Sequence, residues 1–380
     1  MKHIIFITII LNIIFCQKID FNKQFLFDSN HTTFKLIADS LYYIVSNTID
    51  EKKINKKGLV VILNEKGQIK NKVKIGSKNN YIISGIKLQN NHFLFIGYNK
   101  ENNDEWNRIY VVKTDQNLNM IWEKSYGPLN NDSKGYSIVE INENEYWILG
   151  HTKISNNGVL LLKIDDYGNE KWFSYLSNLN CNFANNMIAT PNNDLIVSGQ
   201  KNKELFISKI NRKGQILWQY NYLNDKKYHR IYDIKNTKNG IIAVGNTTKN
   251  ENHSYDILII KLTYDGQEEW IQSFGNHTNE VAYDIERNKK NEYIITGYSL
   301  INKETKRYNS FLIKTDSIGN EINRIDFNTK YLNMEKTSNQ LYDIIIKTED
   351  NKNADSYLGA GNIFNEEGNS QIWFFKLKEK

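Results

Sequence analysis

Short apolar runs rich in Ile, Val, Tyr and Phe alternate along this chain with clusters of Asn, Asp, Gly and Lys. That texture predicts strands closed by turns. Beyond the first sixteen residues, no stretch keeps 3.6-residue apolar spacing over a dozen positions, so helices are not expected.

The runs come in a fixed order of four, and the order returns seven times at intervals of about fifty residues, the mark of a repeat array. The first run reads Tyr136-Ser137-Ile138, Tyr232-Asp233-Ile234, Tyr283-Asp284-Ile285 and Tyr342-Asp343-Ile344. Looser copies are Phe34-Lys35-Leu36, Ser84-Gly85-Ile86 and Asn185-Asn186-Met187. The second run ends in Gly, as in Phe93 to Gly97, Tyr146 to Gly150 and Ile241 to Gly245. The third ends near a Lys (Lys113, Lys163, Lys209, Lys261, Lys314, Lys376), read as a solvated or snorkelling side chain. A turn follows, closed by Gly67, Gly168, Gly214, Gly266 or Gly319 after an Asp, Asn or Thr three residues earlier. Asp and Asn bond the backbone two residues on, and Gly supplies φ > 0. Leu118 stands at the Gly position once, so a looser or differently shaped turn is expected there. The fourth run carries Trp122, Trp172, Trp218 or Trp270, expected to fill the space between repeats.

Four antiparallel strands repeated seven times predict an all-β fold, a seven-bladed β-propeller. One four-stranded sheet buries too little to stand alone, whereas blades around an axis cover both faces. The last repeat lacks its tryptophan strand, and the apolar segment from Ile19 to Phe27 is expected to supply it, closing the ring.

Residues 1–16 read as a secretory leader: Lys2 and His3 precede an apolar stretch too short for a convincing membrane span. Residues 17–380 are then one propeller domain without a transmembrane segment, exported to the periplasm, the outer membrane or the medium. Lipidation of Cys16 is the minority alternative, because Phe15 fits a lipobox poorly. Cys181 would be the one remaining thiol, read as a buried apolar residue. The net charge of +6 is spread over scattered Lys, with no dense basic run and few Arg, which argues against a nucleic-acid partner. A monomer is expected.

No H-E-x-x-H, G-x-S-x-G, P-loop or Rossmann pattern occurs, and no catalytic residue or cofactor site is assigned. The histidines are scattered without metal-ligand spacing, and His151 is read as a rim residue. One constellation stands out. The first strand of a blade lies nearest the axis, so Asp233, Asp284 and Asp343 would form a one-sided acidic arc at the channel mouth. Lys35, Gly85, Ser137 and Asn186 would hold the same position in the other blades. The arc is a candidate site for Ca²⁺ or a cationic ligand group. The competing reading is that each Asp accepts backbone N–H bonds and ties blades together. The variable stretch from Asp326 to Asn339 is a candidate contact loop.

The array resembles exported β-propeller repeat proteins of Bacteroidetes, which carry a K-φ-D-x-x-G-x-x-x-W-x-x-x-[YF]-G phrase. The stretches from Lys113 to Gly127 and from Lys261 to Gly275 carry the resemblance, with Leu118 for Gly and Thr263 for Asp. The Gly-to-Trp spacing is also similar to the tryptophan-docking motif of quinoprotein dehydrogenases. Their cofactor site needs eight blades and usually adjacent cysteines, which this chain lacks. The resemblance implies a propeller of the cell envelope. The functional expectation is a non-enzymatic scaffold that binds a protein or glycan. The alternative is a hydrolase or lyase working through acidic residues at the channel mouth.

Overall fold

The computed structural model describes residues 18–25, 30–50, 55–77, 79–100, 106–153, 158–176, 179, 181, 183–201, 204–222, 228–248, 254–275, 278–305, 307–327, 338–348, 355–365 and 367–379. The leader, Cys16 and most of the stretch between Asp326 and Asn339 lie outside these residues. Among the described residues no helix is long and apolar enough to cross a membrane.

Among the described residues, twenty-eight strands form seven antiparallel sheets of four, the expected blades. Blades one to six each use four consecutive strands; blade three, for example, runs Ser133–Asn142, Glu145–Thr152, Val159–Asp165 and Glu170–Tyr175. Blade seven takes three strands from the C-terminal end of the chain, and Lys18–Phe25 pairs with Ser370–Lys378 as its fourth. The register agrees as well: Phe21 lies opposite Lys376, just as Trp172 lies opposite Lys163. The ring is closed by the N-terminal strand.

The core follows from each blade being sandwiched between two others. The third strand of blade five, Tyr255–Thr263, buries seven residues in a row, so both of its faces are covered. The outermost strand of blade one, Ile69–Ile75, is mostly exposed. Apolar layers therefore lie between blades. Ile196, Leu205 and Ile207 of blade four meet Ile241, Ala243 and Leu258 of blade five. A fully buried Ile is worth about 1.5–3 kcal/mol, so these layers supply the main cohesion. Cys181 is buried in such a layer, and burial pushes its thiol up to about 12.

The turn before the fourth strand forms as expected. Asp165 Oδ1 accepts from the amides of Tyr167 at 3.0 Å and Asn169 at 2.8 Å, and Gly168 has φ 72°. Leu118 departs from expectation, since its turn is not looser. It adopts φ 65°, and its amide donates to Asp115 O at 3.1 Å, as Gly168 does to Asp165 O at 2.9 Å. Five of the six recurrent Lys side chains are buried rather than solvated, and Lys163 is partly exposed. Lys113 and Lys314 are buried and ion-paired, the first to Asp166 of the next blade, the second to Glu292 and Glu379.

Every innermost strand carries a β-bulge at the same place. The ladder skips one residue between Thr33 and Lys35, Ile82 and Ser84, Gly135 and Ser137, Ala184 and Asn186, Ile231 and Asp233, Ala282 and Asp284, and Leu341 and Asp343. In six blades the Gly of the second strand opposite the bulge makes room for it, whereas blade one has Ser46 there. A Cβ on Gly245 would sit 1.8 Å from Arg230 O, and one on Gly97 would sit 1.8 Å from Tyr81 O. Blade two begins one residue earlier than the phrase places it, because Gly85 stands where the other blades carry Ile, Leu or Met. Ser84, not Gly85, is the structural counterpart of Asp343.

Candidate functional site

A bulge breaks the alternation of a strand and re-aims a side chain. Here it lets two consecutive residues of each innermost strand line the axis. The result is a central cavity of about 550 Å³. Its upper rung, nearer the end where the innermost strands begin, holds the bulged residues Phe34, Ile83, Tyr136, Asn185, Tyr232, Tyr283 and Tyr342. The rung below holds Lys35, Ser84, Ser137, Asn186, Asp233, Asp284 and Asp343.

The structure brings the three sequence-predicted aspartates together on adjacent blades, one rung below the aromatic ring. All six of their oxygens are engaged. Asp343 bonds Lys35 Nζ at 2.7 Å through one oxygen and accepts from the amide of Leu36 through the other. Asp284 accepts from the amides of Ile344 at 2.8 Å and Ile285 at 3.0 Å, with Lys235 Nζ 3.2 Å away. Asp233 accepts from Asn186 Nδ2 at 2.6 Å and lies 3.4 Å from both Lys235 Nζ and the Ile285 amide. These bonds join blade seven to one, six to seven, and four to five to six. The blade-tying geometry is therefore present at all three positions. Sequence reasoning missed Lys235, which lies one rung further along and reaches Asp233, Asp284 and Glu286.

Burial works against charge on all three carboxyls, and their neighbours then divide them. Lys235 and Lys35 outweigh burial at Asp284 and hold it well below the usual range. At Asp343, burial and the Asp284 charge prevail over Lys35 and push the carboxyl up to about 8. Burial also raises Asp233, against Lys235. The side chains of Asp284 and Asp343 are only 3% exposed, which leaves little of either carboxyl open to a ligand.

The aromatic ring is the feature the phrase contained but whose role sequence reasoning missed. Tyr232, Tyr283 and Tyr342 were visible as the first letter of Tyr-Asp-Ile. Strand alternation gave no reason to place them on the same side as Asp. Tyr283 is the hub: it contacts Tyr232 at 4.5 Å, Tyr342 edge-on at 5.2 Å, and stacks on Tyr298 at 5.3 Å between ring centroids. Each such pair adds about 0.5–1.5 kcal/mol beyond area burial. The entrance extends the aromatic surface. The Arg230 guanidinium lies 4.7 Å from the Tyr232 ring and 5.4 Å from Phe183. Tyr136 meets Phe183 edge-on at 5.0 Å, and His151 lies 5.9 Å from Phe183, which places that rim residue in the same cluster. Burial raises the Tyr232, Tyr283 and Tyr342 phenols, so they stay protonated donors at neutral pH.

No family model and no curated protein matches this chain. Solved structures resemble it in fold. The β-propeller domain of the Trilobed protease from Pyrococcus furiosus, described as having an open velcro topology, superposes with a TM-score of 0.51 at 10% identity, over 92% of this chain and 94% of that one. A protein of unknown function from Dyadobacter fermentans gives 0.50 at 10% identity, over 96% and 98%. The acylaminoacyl peptidase of Pyrococcus horikoshii gives 0.44 at 11% identity over 88% of this chain, which spans only 58% of that protein's length. The likeness to the Trilobed protease domain, at 10% identity, establishes the propeller fold alone.

Proposed function

We propose that this protein is an exported, non-enzymatic binding scaffold of the cell envelope, and that it holds a protein or glycan ligand at the tyrosine-lined end of its central cavity. The observation that carries the reading is the pairing of the two rungs. The upper rung presents half-buried aromatic faces, and the lower rung commits its carboxylates to joining blades. A rigid ring with a concave aromatic mouth suits capture.

The hydrolase or lyase alternative has one observation in its favour. Asp284 and Asp343 are driven to opposite ionisation preferences, the arrangement that acid–base pairs use. Their near-complete burial and filled oxygens weigh against it, because a general acid or base needs reach to the reacting atom.

The test is retention. The protein, immobilised through an outer-strand lysine, is exposed to saccharide and protein fractions of a cell envelope. The retained species should elute with unchanged mass, and Tyr232→Ala should abolish retention. Smaller products released by the native protein but not by Asp343→Asn would favour the hydrolase. Calcium-dependent melting of the native protein addresses the metal proposal for Asp233, Asp284 and Asp343; no shift would remove it.

A further inference from the structure

The cavity also carries information about the class of ligand. We infer that it takes the end of a neutral glycan, one or two sugar rings inserted from the Arg230 end. This inference rests on the binding reading above.

Three observations point the same way. First, the aromatic surface is interrupted at Asn185 and Ile83, with Tyr136 between them and an unbroken arc over the other four blades. Tyr232, Tyr283, Tyr342 and Phe34 line adjacent blades, while Asn185 sits on the neighbouring blade four. A pyranose is amphipathic in the same manner. Its axial C–H face is slightly positive and lies on the negative face of an aromatic ring. Its hydroxyl edge needs planar groups able to donate and accept, which an amide supplies.

Second, the amide is only half used. Asn185 donates through Nδ2 to Ile231 O at 2.9 Å, but among the described residues its buried Oδ1 has no hydrogen-bond partner. A buried acceptor without a donor costs roughly 1–3 kcal/mol, so a hydroxyl bonding there would recover a bond the protein itself does not make.

Third, the charges select against ions of either sign. A cation entering would meet Arg230 at the mouth, with Lys35 and Lys235 on the cavity wall beyond. An anion would meet Asp284, held ionised, beside Asp233 and Asp343, whose oxygens are already bonded within the protein. The lysines and carboxyls of the wall are partnered with one another, so an entering ion of either sign must displace an existing pair, whereas a neutral polyol displaces none. The volume of about 550 Å³ lies within the range of small-ligand sites and is too confined for a folded partner.

The experiment uses the full chain and two probe sets. One is a panel of neutral di- and trisaccharides (cellobiose, maltose, lactose and N-acetylglucosamine oligomers); the other holds choline and glucuronate. Saturation-transfer NMR reads contact, and calorimetry reads affinity. At least one neutral saccharide should bind, with saturation reaching its C–H face. Tyr232→Ala and, separately, Asn185→Ala should each weaken it at least tenfold. Tyr167→Ala, on an exposed outer turn, should leave it within twofold. Should Tyr232→Ala fail to fold, Asn185→Ala and the saturation pattern decide. Preference for choline or glucuronate would overturn the inference, as would binding that neither mouth variant alters. Absence of any saccharide binding while the protein fraction is still retained through Tyr232 would overturn the sugar and leave the scaffold standing. Loss of both would overturn both.

Discussion

At the residue scale, the tryptophan and the turn glycine of the repeat turn out to be partners across the blade boundary. A Cβ on Gly214 would meet Trp172 of the preceding blade at 2.5 Å; on Gly266 it would meet Trp218 at 2.7 Å, and on Gly319, Trp270 at 2.6 Å. Phe21 takes the tryptophan's place against Gly67, at 2.7 Å. This explains Leu118. The blade before it has Asn71 where the tryptophan would be, and the leucine side chain fills that space in the inter-blade core. Gly214→Ala should therefore cost roughly 2–4 kcal/mol, combining the left-handed backbone with overpacking. Gly368→Ala, at φ 80° with nothing within 4 Å, should cost only about 1–2 kcal/mol. Urea melts of the two variants compare them directly, and equal losses would contradict the pairing. The turn's φ > 0 was legible from its Asx-x-x-Gly spelling, whereas the packing was not, because it joins residues some forty positions apart. A second residue-scale expectation concerns pH. Burial lowers His31 to about 4, so its contribution to stability grows as pH rises from about 4 to its ordinary 6.5 and is then complete. Asp343 has the opposite sign: folded, it keeps its proton to about pH 8, so stability falls as pH rises toward that value. Between pH 6.5 and 8 only the second trend remains of these two, with a slope of at most about 1.4 kcal/mol per pH unit per proton. The native melting temperature should drop across that window, and Asp343→Asn should flatten the drop while keeping an acceptor for Leu36. An unchanged slope in the variant would assign the effect elsewhere.

At the element scale, the bulged innermost strand links fold to site. Strand type, blade count and closure by the N-terminal strand were legible, because a period of about fifty residues repeats often enough to average out local ambiguity. The bulge was not. It adds one residue to a ladder without any residue type of its own, as Tyr283, Ile83 and Asn185 show at the same position. Its trace in the sequence lies on the neighbouring strand, in the glycine that six of the seven blades carry opposite the bulge. That glycine was visible, but its reason is a backbone approach no side-chain pattern encodes. The same blind spot hid the tyrosine rung behind the aspartates. Gly245→Ala tests the device. The methyl would press on Arg230 O, so strand one and strand two must part beside Tyr232 and Asp233. Stability should fall by about 3 kcal/mol or more, and ligand retention should fall even at temperatures where the variant remains folded. A variant that melts normally and retains ligand would show that the bulge does not depend on this glycine.

At the scale of the whole molecule, the ring is stitched as well as packed, and the stitches explain part of the asparagine-rich composition. Asn47 accepts from the Ile82 amide and donates to its carbonyl, both at 2.7 Å, joining blades one and two. Asn339 does the same between the Ser310 amide at 2.7 Å and Phe327 O at 3.0 Å. Asn362 bridges the closing seam, accepting from the Thr33 amide at 2.8 Å and donating to His31 O at 2.9 Å. Asp343 and Lys35 cross the same seam inside the channel. A closed ring has no free blade from which unfolding can start, so its blades should melt together. Breaking one stitch and opening the ring should then differ in kind. Asn362→Ala takes the acceptor from the buried Thr33 amide, at roughly 1–3 kcal/mol, while Ser370 Oγ still donates to His31 O, and should lower the urea midpoint without changing the slope. Removing residues 18–25 exposes the edge of Ser370–Lys378 and uncovers Gly67. That variant should lower the slope as well, because blades near the gap open before the rest. It should also self-associate through the bared strand in size-exclusion chromatography. If the shortened chain instead stayed monomeric and melted with the native slope, the N-terminal strand would be a cover on the ring rather than its clasp.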